Sequence, residues 1–370
     1  MAPPEAPPAT TDLPVAVVTA STAGIGLATA ARLAAAGYHV VISSRSAAHV
    51  DAALARLRSP PLPSPSHLSL GSAGTPVGQA LPSPPSLPSV SGLVCNVADA
   101  AHRSALVAHA TALRSDGAVA AVVLNAAASP SYGPLVATPA AAWDTLWAVN
   151  VRAAALLAAA FVPALAVTAA AAAAAAAAST EAAAEATAET GSMGGGRIGV
   201  GGCSPSLLFV SSIGAYMPLP SLGGYSVTKT ALAGLVSVLA TELAPRGIRV
   251  NGVAPGLVRT RFSERIWRTR PPGAGGGGQG GGGGRGRSPP DEDARRGGFD
   301  GKATTTPVVG RGDGGGRRRD VRPAAVNWIP MRRLGEADEI AAVIAFLVGP
   351  GASYMTGETV AVAGGVRSRL

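Results

Sequence analysis

The chain has 370 residues, a formal net charge of +9, 47% hydrophobic and 14% charged residues. That balance is too apolar for a wholly disordered protein. Two cysteines, Cys95 and Cys203, exclude a disulfide framework and make a reducing compartment the default.

Met1–Thr11 is rich in Pro and Ala and lacks a charged segment followed by an apolar run, so it does not read as a secretion signal. Residues 1–12 are expected to be a disordered tail. Val15–Thr19 is a buried strand by its β-branched apolar run. Ser21–Gly26 is turn-like, and a helix follows over Ile25–Ala36, ended by Gly37. A second strand covers His39–Ser43 and a second helix Ser46–Arg58. The tract 59–90 has Pro at every few positions and is expected to be a disordered loop. Gly92–Val97 is the third strand, Ala100–Arg114 a helix and Val119–Asn125 the fourth strand. Pro139–Ala166 is helical and runs into a second tract, 166–205, rich in Ala.

The uncharged stretch Ala153–Ser179 is long enough for a membrane span. Its Ala content, Pro163 and polar tail favour a core helix that continues as an insertion. Ser206–Ser211 is the fifth strand, Gly224–Ala244 a helix ended by Pro245-Arg246-Gly247, and Ile248–Val253 the sixth strand. A short helical piece, Arg259–Trp267, precedes a third tract, 270–320, rich in Gly and Arg. Glu336–Val348 is the last helix and Glu358–Val362 the last strand. Setting the three tracts aside leaves about 250 residues, one domain over 13–366. Strands alternating with helices imply right-handed crossovers: an α/β fold, a single Rossmann-like doubly wound parallel sheet with helices on both faces. Ligands of such a sheet lie at the carboxyl ends of its strands, near the switch in strand order.

Three motifs carry chemistry. In Thr19-Ala20-Ser21-Thr22-Ala23-Gly24-Ile25-Gly26, glycines at a strand-to-helix turn let backbone N–H groups approach a pyrophosphate; alone, such turns are common. Ser43-Ser44-Arg45 ends the second strand, where a carboxylate would bind the ribose hydroxyls of NAD. Small hydroxyls and a cation there suit the 2′-phosphate of NADP, although an isolated Arg at a strand end is more often just solvated. Tyr225 and Lys229 share one helix face at i, i+4. A lysine ammonium beside the phenol is expected to lower the Tyr225 pKa and make it a proton donor near neutral pH. Ser212, 13 residues upstream and just past a strand, is placed to hydrogen-bond the same carbonyl oxygen.

In these motifs the chain resembles the short-chain dehydrogenase/reductase family. Asn125-Ala126-Ala127 resembles the family's Asn-Ala-Gly beside the adenosine, and Asn150 its helix asparagine. Ser212, Tyr225 and Lys229 match its catalytic residues, and Pro255-Gly256 with Thr260 the segment that holds the carboxamide. The ending Ser368-Arg369-Leu370 and the runs Arg333-Leu334-Gly335-Glu336 and Ala352–Val360 look like a peroxisomal subgroup of NADPH-dependent carbonyl and retinal reductases, shared by plant peroxisomal short-chain dehydrogenases.

The resemblance implies a catalytic set of Ser212, Tyr225, Lys229 and Asn150, the last anchoring a proton-passing water. It implies NADP(H) held by Thr19, Ser21, Thr22, Gly24, Ile25, Gly26, Ser44, Arg45, Asn96, Val97, Asn125, Ala126, Ala127, Tyr225, Lys229, Pro255, Gly256, Leu257 and Thr260. No metal ligands are assigned. The reaction is a carbonyl–alcohol interconversion on a small apolar substrate, in a pocket built partly from Met217, Leu219, Phe262 and Trp267. A homotetramer and a peroxisomal import receptor reading residues 368–370 are the implied partners. Three positions depart from the family. Ala20 replaces a glycine, at a cost if its φ is positive. Asn96 replaces an Asp near the adenine, and Ala127 the last glycine of Asn-Ala-Gly.

Two rival readings stand beside this one. A 3-hydroxyacyl-CoA dehydrogenase or enoyl-CoA reductase would need a cationic rim, which Arg259, Arg261, Arg265 and Arg268 could supply. RNA binding through Arg296-Gly297-Gly298-Phe299 rests on a single Arg-Gly-Gly unit, and a flexible loop is the preferred reading.

Overall fold

The computed structural model describes residues 10–59, 88–190, 204–217, 219, 221–268 and 324–367. Expectations that fall on residues 1–9, 60–87, 191–203, 269–323 and 368–370 lie outside the described residues; these include most of two of the three tracts, the Arg-Gly-Gly unit and the terminal tripeptide.

Seven strands form one parallel sheet: β1 (Val15–Val18), β2 (His39–Ser44), β3 (Val90–Val94), β4 (Ala121–Leu124), β5 (Ser206–Val210), β6 (Arg249–Pro255) and β7 (Thr359–Val362). Their order is β3-β2-β1-β4-β5-β6-β7, so the order reverses between β1 and β4. The strands read as continuous apolar runs because both faces are covered. Val15 and Val17 of β1 join one core with α3 (Ala100–Ala112), α5 (Ala153–Thr190) and α6 (Gly223–Leu243). Ala16 and Val18 join the other, with α1 (Gly24–Ala35), α2 (Ala47–Arg58) and α8 (Ala337–Val348). Leu207 and Phe209 against Leu208 and Val210 repeat this alternation in β5, as the two-residue period of a strand requires.

Several boundaries differ from the sequence reading. β3 begins at Val90, inside the tract expected to be a loop, because Val90 to Val94 pair with Val40 to Ser44. The piece expected over Arg259–Trp267 narrows to α7 (Glu264–Arg268). The single helix expected over Pro139–Ala166 is α4 (Ala140–Leu146), a π-helical stretch Trp147–Arg152, and α5. α5 continues past Ala166 through the Ala run to Thr190; Ala has the highest intrinsic helix propensity. Two helical segments, Ala140–Thr180 and Gly223–Arg246, are apolar and long enough to cross a membrane by length and composition. Each turns one face to the sheet core, through Leu157, Phe161 and Leu165 in the first and Leu232, Val236 and Ala240 in the second.

Two devices tie the helical layer to the sheet. Arg249 on β6 is buried and donates to the carbonyls of Leu347 (2.7 Å) and Val348 (2.9 Å), capping the end of α8. Glu336 and Glu339 form a capping box at the start of α8.

Candidate active site

The turn after β1 is shaped by its backbone. Ala20 has φ +50° and Gly24 φ +53°. The positive φ makes Ala20 a strained substitution for glycine, the cost raised as a possibility from the sequence. A Cβ on Gly26 would lie 2.6 Å from both the Ala20 carbonyl and Asn125 Nδ2, so only glycine lets the helix sit this close. The N-cap of α1 is Ala23, with no side-chain cap and no acid in the first turn. Its backbone N–H groups are therefore available to an anion. An uncapped helix start beside a glycine cradle fits the pyrophosphate of a dinucleotide.

Hydrogen bonds fasten this turn to its neighbours. Ser21 N donates to the Ser43 carbonyl (2.9 Å) and Ser43 N to Ser21 Oγ (3.0 Å). Thr19 Oγ1 accepts from the amides of Asn125 (2.9 Å) and Ala126 (3.1 Å). Asn125 Nδ2 donates to the carbonyls of Thr19 and Ala20, both at 3.1 Å. Thr19 and Ser21 thus serve as struts for the turn. At the end of β2, Ser43 is buried, Ser44 half-buried and Arg45 exposed. Asn96 Oδ1 accepts from Ala98 N at 3.2 Å and keeps a second lone pair for an adenine amino group.

The hydroxyl pair lies on the other side of the switch point. Ser212 follows β5; its Oγ accepts from Gly214 N at 3.1 Å, and it shares the cavity wall with the Tyr225 phenol, whose pKa it pulls down. Tyr225 and Lys229 lie on α6, both buried. Lys229 Nζ lies 5.7 Å from the centre of the Tyr225 ring and donates to the Val210 carbonyl at 2.7 Å. Ser211 Oγ donates to the Lys229 carbonyl at 2.9 Å.

Burial dominates the electrostatics. It pushes the Tyr225 phenol up to about 12, with the Ser212 hydrogen bond pulling the other way, and the Lys229 amine down to about 7. The expectation that Lys229 lowers the Tyr225 pKa is therefore not met in this arrangement. Desolvation sets the direction, and the amine donates to the Val210 carbonyl instead. Tyr225 remains fully protonated at neutral pH, as a donor must be.

Asn150 sits in the π-helical stretch, fully buried. Its Oδ1 accepts from Ala128 N (2.7 Å), and its Nδ2 donates to the Ala128 carbonyl (3.0 Å) and Thr228 Oγ1 (3.0 Å). Both side-chain donors are used, so the side chain acts as a clamp. It ties the loop after β4 to α6.

One cavity of about 280 Å³ joins the two halves, lined by Gly24, Ile25, Gly26, Asn125, Ala127, Ser212, Tyr225, Lys229, Pro255, Gly256 and Thr260. A smaller hollow of about 60 Å³ adjoins the hydroxyls, among Ser129, Tyr132, Ile213, Leu219, Leu222, Phe262, Ile266 and Trp328.

The comparisons with known proteins agree with this geometry. Residues 14–62 match the family model described as short chain dehydrogenase. Residues 199–271 and 304–367 match the one described as Enoyl-(Acyl carrier protein) reductase. Dehydrogenase/reductase SDR family member 4 of Bos taurus is 36% identical over 359 residues, 97% of this chain and 89% of that protein. The Homo sapiens protein of the same name is 34% identical over 356 residues, 96% of this chain and 88% of its own length. This chain belongs to the short-chain dehydrogenase/reductase family. Among solved structures, actinorhodin polyketide ketoreductase with NADPH has a TM-score of 0.61 at 21% identity, covering 97% of this chain and 99% of its own. The 3-ketoacyl-(acyl-carrier-protein) reductase of Brucella melitensis complexed with NADH has 0.59 at 20%, covering 95% and 97%. As a member, this chain is an oxidoreductase that interconverts carbonyl and alcohol groups with a nicotinamide cofactor.

Within this family member, the remaining sequence-predicted residues fall in three places. Thr22, Ser44, Arg45, Asn96, Val97 and Ala126 lie outside the lining of the main cavity, and Leu257 lines the smaller hollow. Leu219 and Phe262 line the smaller hollow as expected of a substrate wall, whereas Met217 does not, and Trp267 packs with Leu257, Val326 and Ile329. Of the four arginines of the rival thioester rim, Arg259 pairs with Glu336 at 3.0 Å and the Arg268 side chain lies outside the described residues. Ala23, Val210, Ser211, Val258 and Ser263 line the main cavity without having been singled out. Val258 is brought there by its bridge to Gly335, and Ser263 Oγ is bonded to the Val258 carbonyl; neither link leaves a mark in the sequence.

Proposed function

We propose that the chain reduces ketones and aldehydes with NADPH, and oxidises the alcohols with NADP in reverse. The observation that carries this reading is the meeting of Ser212, Tyr225 and the glycine turn in the lining of one cavity. The bound nicotinamide supplies the hydride. Ser212 and Tyr225 hydrogen-bond the substrate carbonyl oxygen, and Tyr225 gives up its phenolic proton to that oxygen. Thr260, Pro255 and Gly256 hold the carboxamide end, Gly24, Ile25 and Gly26 receive the pyrophosphate, and Lys229 contacts the nicotinamide ribose. Asn150 is a positioning residue, keeping the loop after β4 against α6. Arg45, exposed after Ser44, selects the 2′-phosphate; the mammalian relatives' name and the NADPH of the polyketide ketoreductase support a reductase but leave that choice to these residues.

The test is a panel of ketones and aldehydes with NADPH and NADH, read by nicotinamide absorbance. NADPH oxidation with several carbonyls is expected; none with any of them overturns the reading. A homotetramer, read by sedimentation, belongs to the same proposal. So does peroxisomal import through Ser368-Arg369-Leu370, supported by their likeness to the Ser-Lys-Leu address. A fluorescent fusion that turns from punctate to diffuse when these residues are removed is the expected result.

A further inference from the structure

Three hollows meet at one side chain. Phe262 lines the main cavity, the small hollow beside Ser212 and Tyr225, and a third, open hollow of about 370 Å³. Outward from the hydroxyls, the small hollow is walled by Leu219, Leu222 and Ile266. Tyr132 and Ser129 then lead into the open hollow, whose remaining lining is Pro130, Arg261 and Arg265. Among the described residues lining that outer hollow, the ionisable ones besides Tyr132 are Arg265 and Arg261, the latter also lining the main cavity. The Arg265 guanidinium lies 5.6 Å over the Tyr132 ring, a cation–π contact beside the mouth.

We propose that this mouth is an anion subsite and that the substrate class is a carbonyl compound bearing a carboxylate or phosphate beyond a short apolar segment. Polarity runs in that order through the hollows: hydroxyl donors, apolar wall, guanidinium groups. A guanidinium fork matches a planar carboxylate with two parallel hydrogen bonds, and a phosphate nearly as well. The inference rests on the carbonyl reductase reading and gives it a specificity.

The experiment compares kcat/KM for 2-alkanones, oxo-carboxylates of matched length and oxo-alkyl phosphate monoesters, with NADPH, on the full chain and on Arg261→Gln, Arg265→Gln and the double variant. NADPH affinity is measured for each by fluorescence titration. A charge-assisted hydrogen bond to each arginine gives a preference of about tenfold or more for the charged carbonyl. That preference falls with added salt and collapses towards one in the double variant, through KM more than kcat. The carboxylate and phosphate arms show which anion the mouth takes. Turnover of ketones with equal or poorer turnover of both charged series overturns the subsite. So does a double variant that loses NADPH affinity while keeping its preference, since the arginines would then serve the cofactor. No turnover of any carbonyl overturns the reductase reading itself, a different failure.

Discussion

The Lys229 amine donates to the Val210 carbonyl at 2.7 Å, which ties the catalytic face of α6 to the last residue of β5. Val210 is two residues before Ser212, so one hydrogen bond sets the lysine, the strand end and the serine in a fixed relation. The same bond leaves the lysine buried without a carboxylate, and burial lowers it to about 7. The unfolded chain holds its lysine proton up to about pH 10.4. Between the two values the unfolded state binds more protons, so this group's contribution to stability increases as pH rises.

Lys229→Met removes that penalty along with the ribose contact. Carbonyl reduction is expected to fall by orders of magnitude while the melting temperature at pH 7 rises by a few degrees. The thermal gain shrinks between about pH 7 and pH 9 as wild type recovers its share. Calorimetry across that range, beside a reductase assay, checks both halves.

Tyr225→Phe keeps the ring against Phe262, whose centre is 5.8 Å away, and removes the phenolic proton. A loss of about 10²–10⁴ in kcat is expected for a general acid, with NADPH affinity retained. Near-normal turnover in this variant would sink the mechanism.

Exchange of Ser44 for Asp places a carboxylate beside Arg45, where the 2′-phosphate is proposed to sit. The NADPH-to-NADH ratio of kcat/KM is expected to drop, tenfold for each 1.4 kcal/mol or so of repulsion. A native enzyme that already uses both cofactors equally contradicts the assignment.

Ala20→Gly relieves an L-residue at φ +50°, a conformation worth roughly 1–2 kcal/mol of strain. Part of that is offset by the greater freedom of glycine in the unfolded chain. The melting temperature is expected to rise by about 1–3 °C with the fold unchanged. A fall would mean that the Ala20 methyl makes a contact worth more than the strain.

At the amino ends of the strands, the His39 ring bonds Ser89 Oγ (2.7 Å) and Ser91 Oγ (2.9 Å), and Ser91 Oγ bonds His109 Nε2 (3.1 Å). Burial first, and His109 second, hold the His39 pKa below its ordinary value. A base depressed in the folded state takes its proton more readily when unfolded. Its contribution is therefore complete above about pH 6.5 and is lost as pH falls below it. The urea midpoint is expected to drop between about pH 8 and pH 5.5, and His39→Gln to reduce that drop.

The fold was legible wherever a signal was local. The seven strands are apolar runs bounded by turn residues, and Gly247, at φ +72°, ends the α6 region where Pro245-Arg246-Gly247 marks it. Val90 was hidden because the Pro/Ser tract runs up to it, and only pairing with Val40 makes it a strand. The Tyr225–Lys229 pair was legible as a spacing, because i, i+4 on a helix is a geometric statement. The direction of the Lys229 bond was not, since Val210 meets it through the packing of α6 on β5. The strand contacts of Thr19 and Ser21 were not legible either, since their hydroxyls accept from Asn125 and Ser43, more than 20 positions away in sequence.

Parallel strands give the molecule two unlike poles. The starts of β3 and β5, at Val90 and Ser206, lie at the pole away from the Ser212–Tyr225 pair, which follows the carboxyl end of β5. The connection 269–323 leaves α7 and returns just before Trp328, a wall of the small hollow. A reporter domain or affinity handle spliced just ahead of Val90 or Ser206 enters the chain at the pole remote from chemistry. A splice just ahead of Trp328 instead enters beside a wall of the small hollow, which makes that junction the place to alter in order to retarget the enzyme.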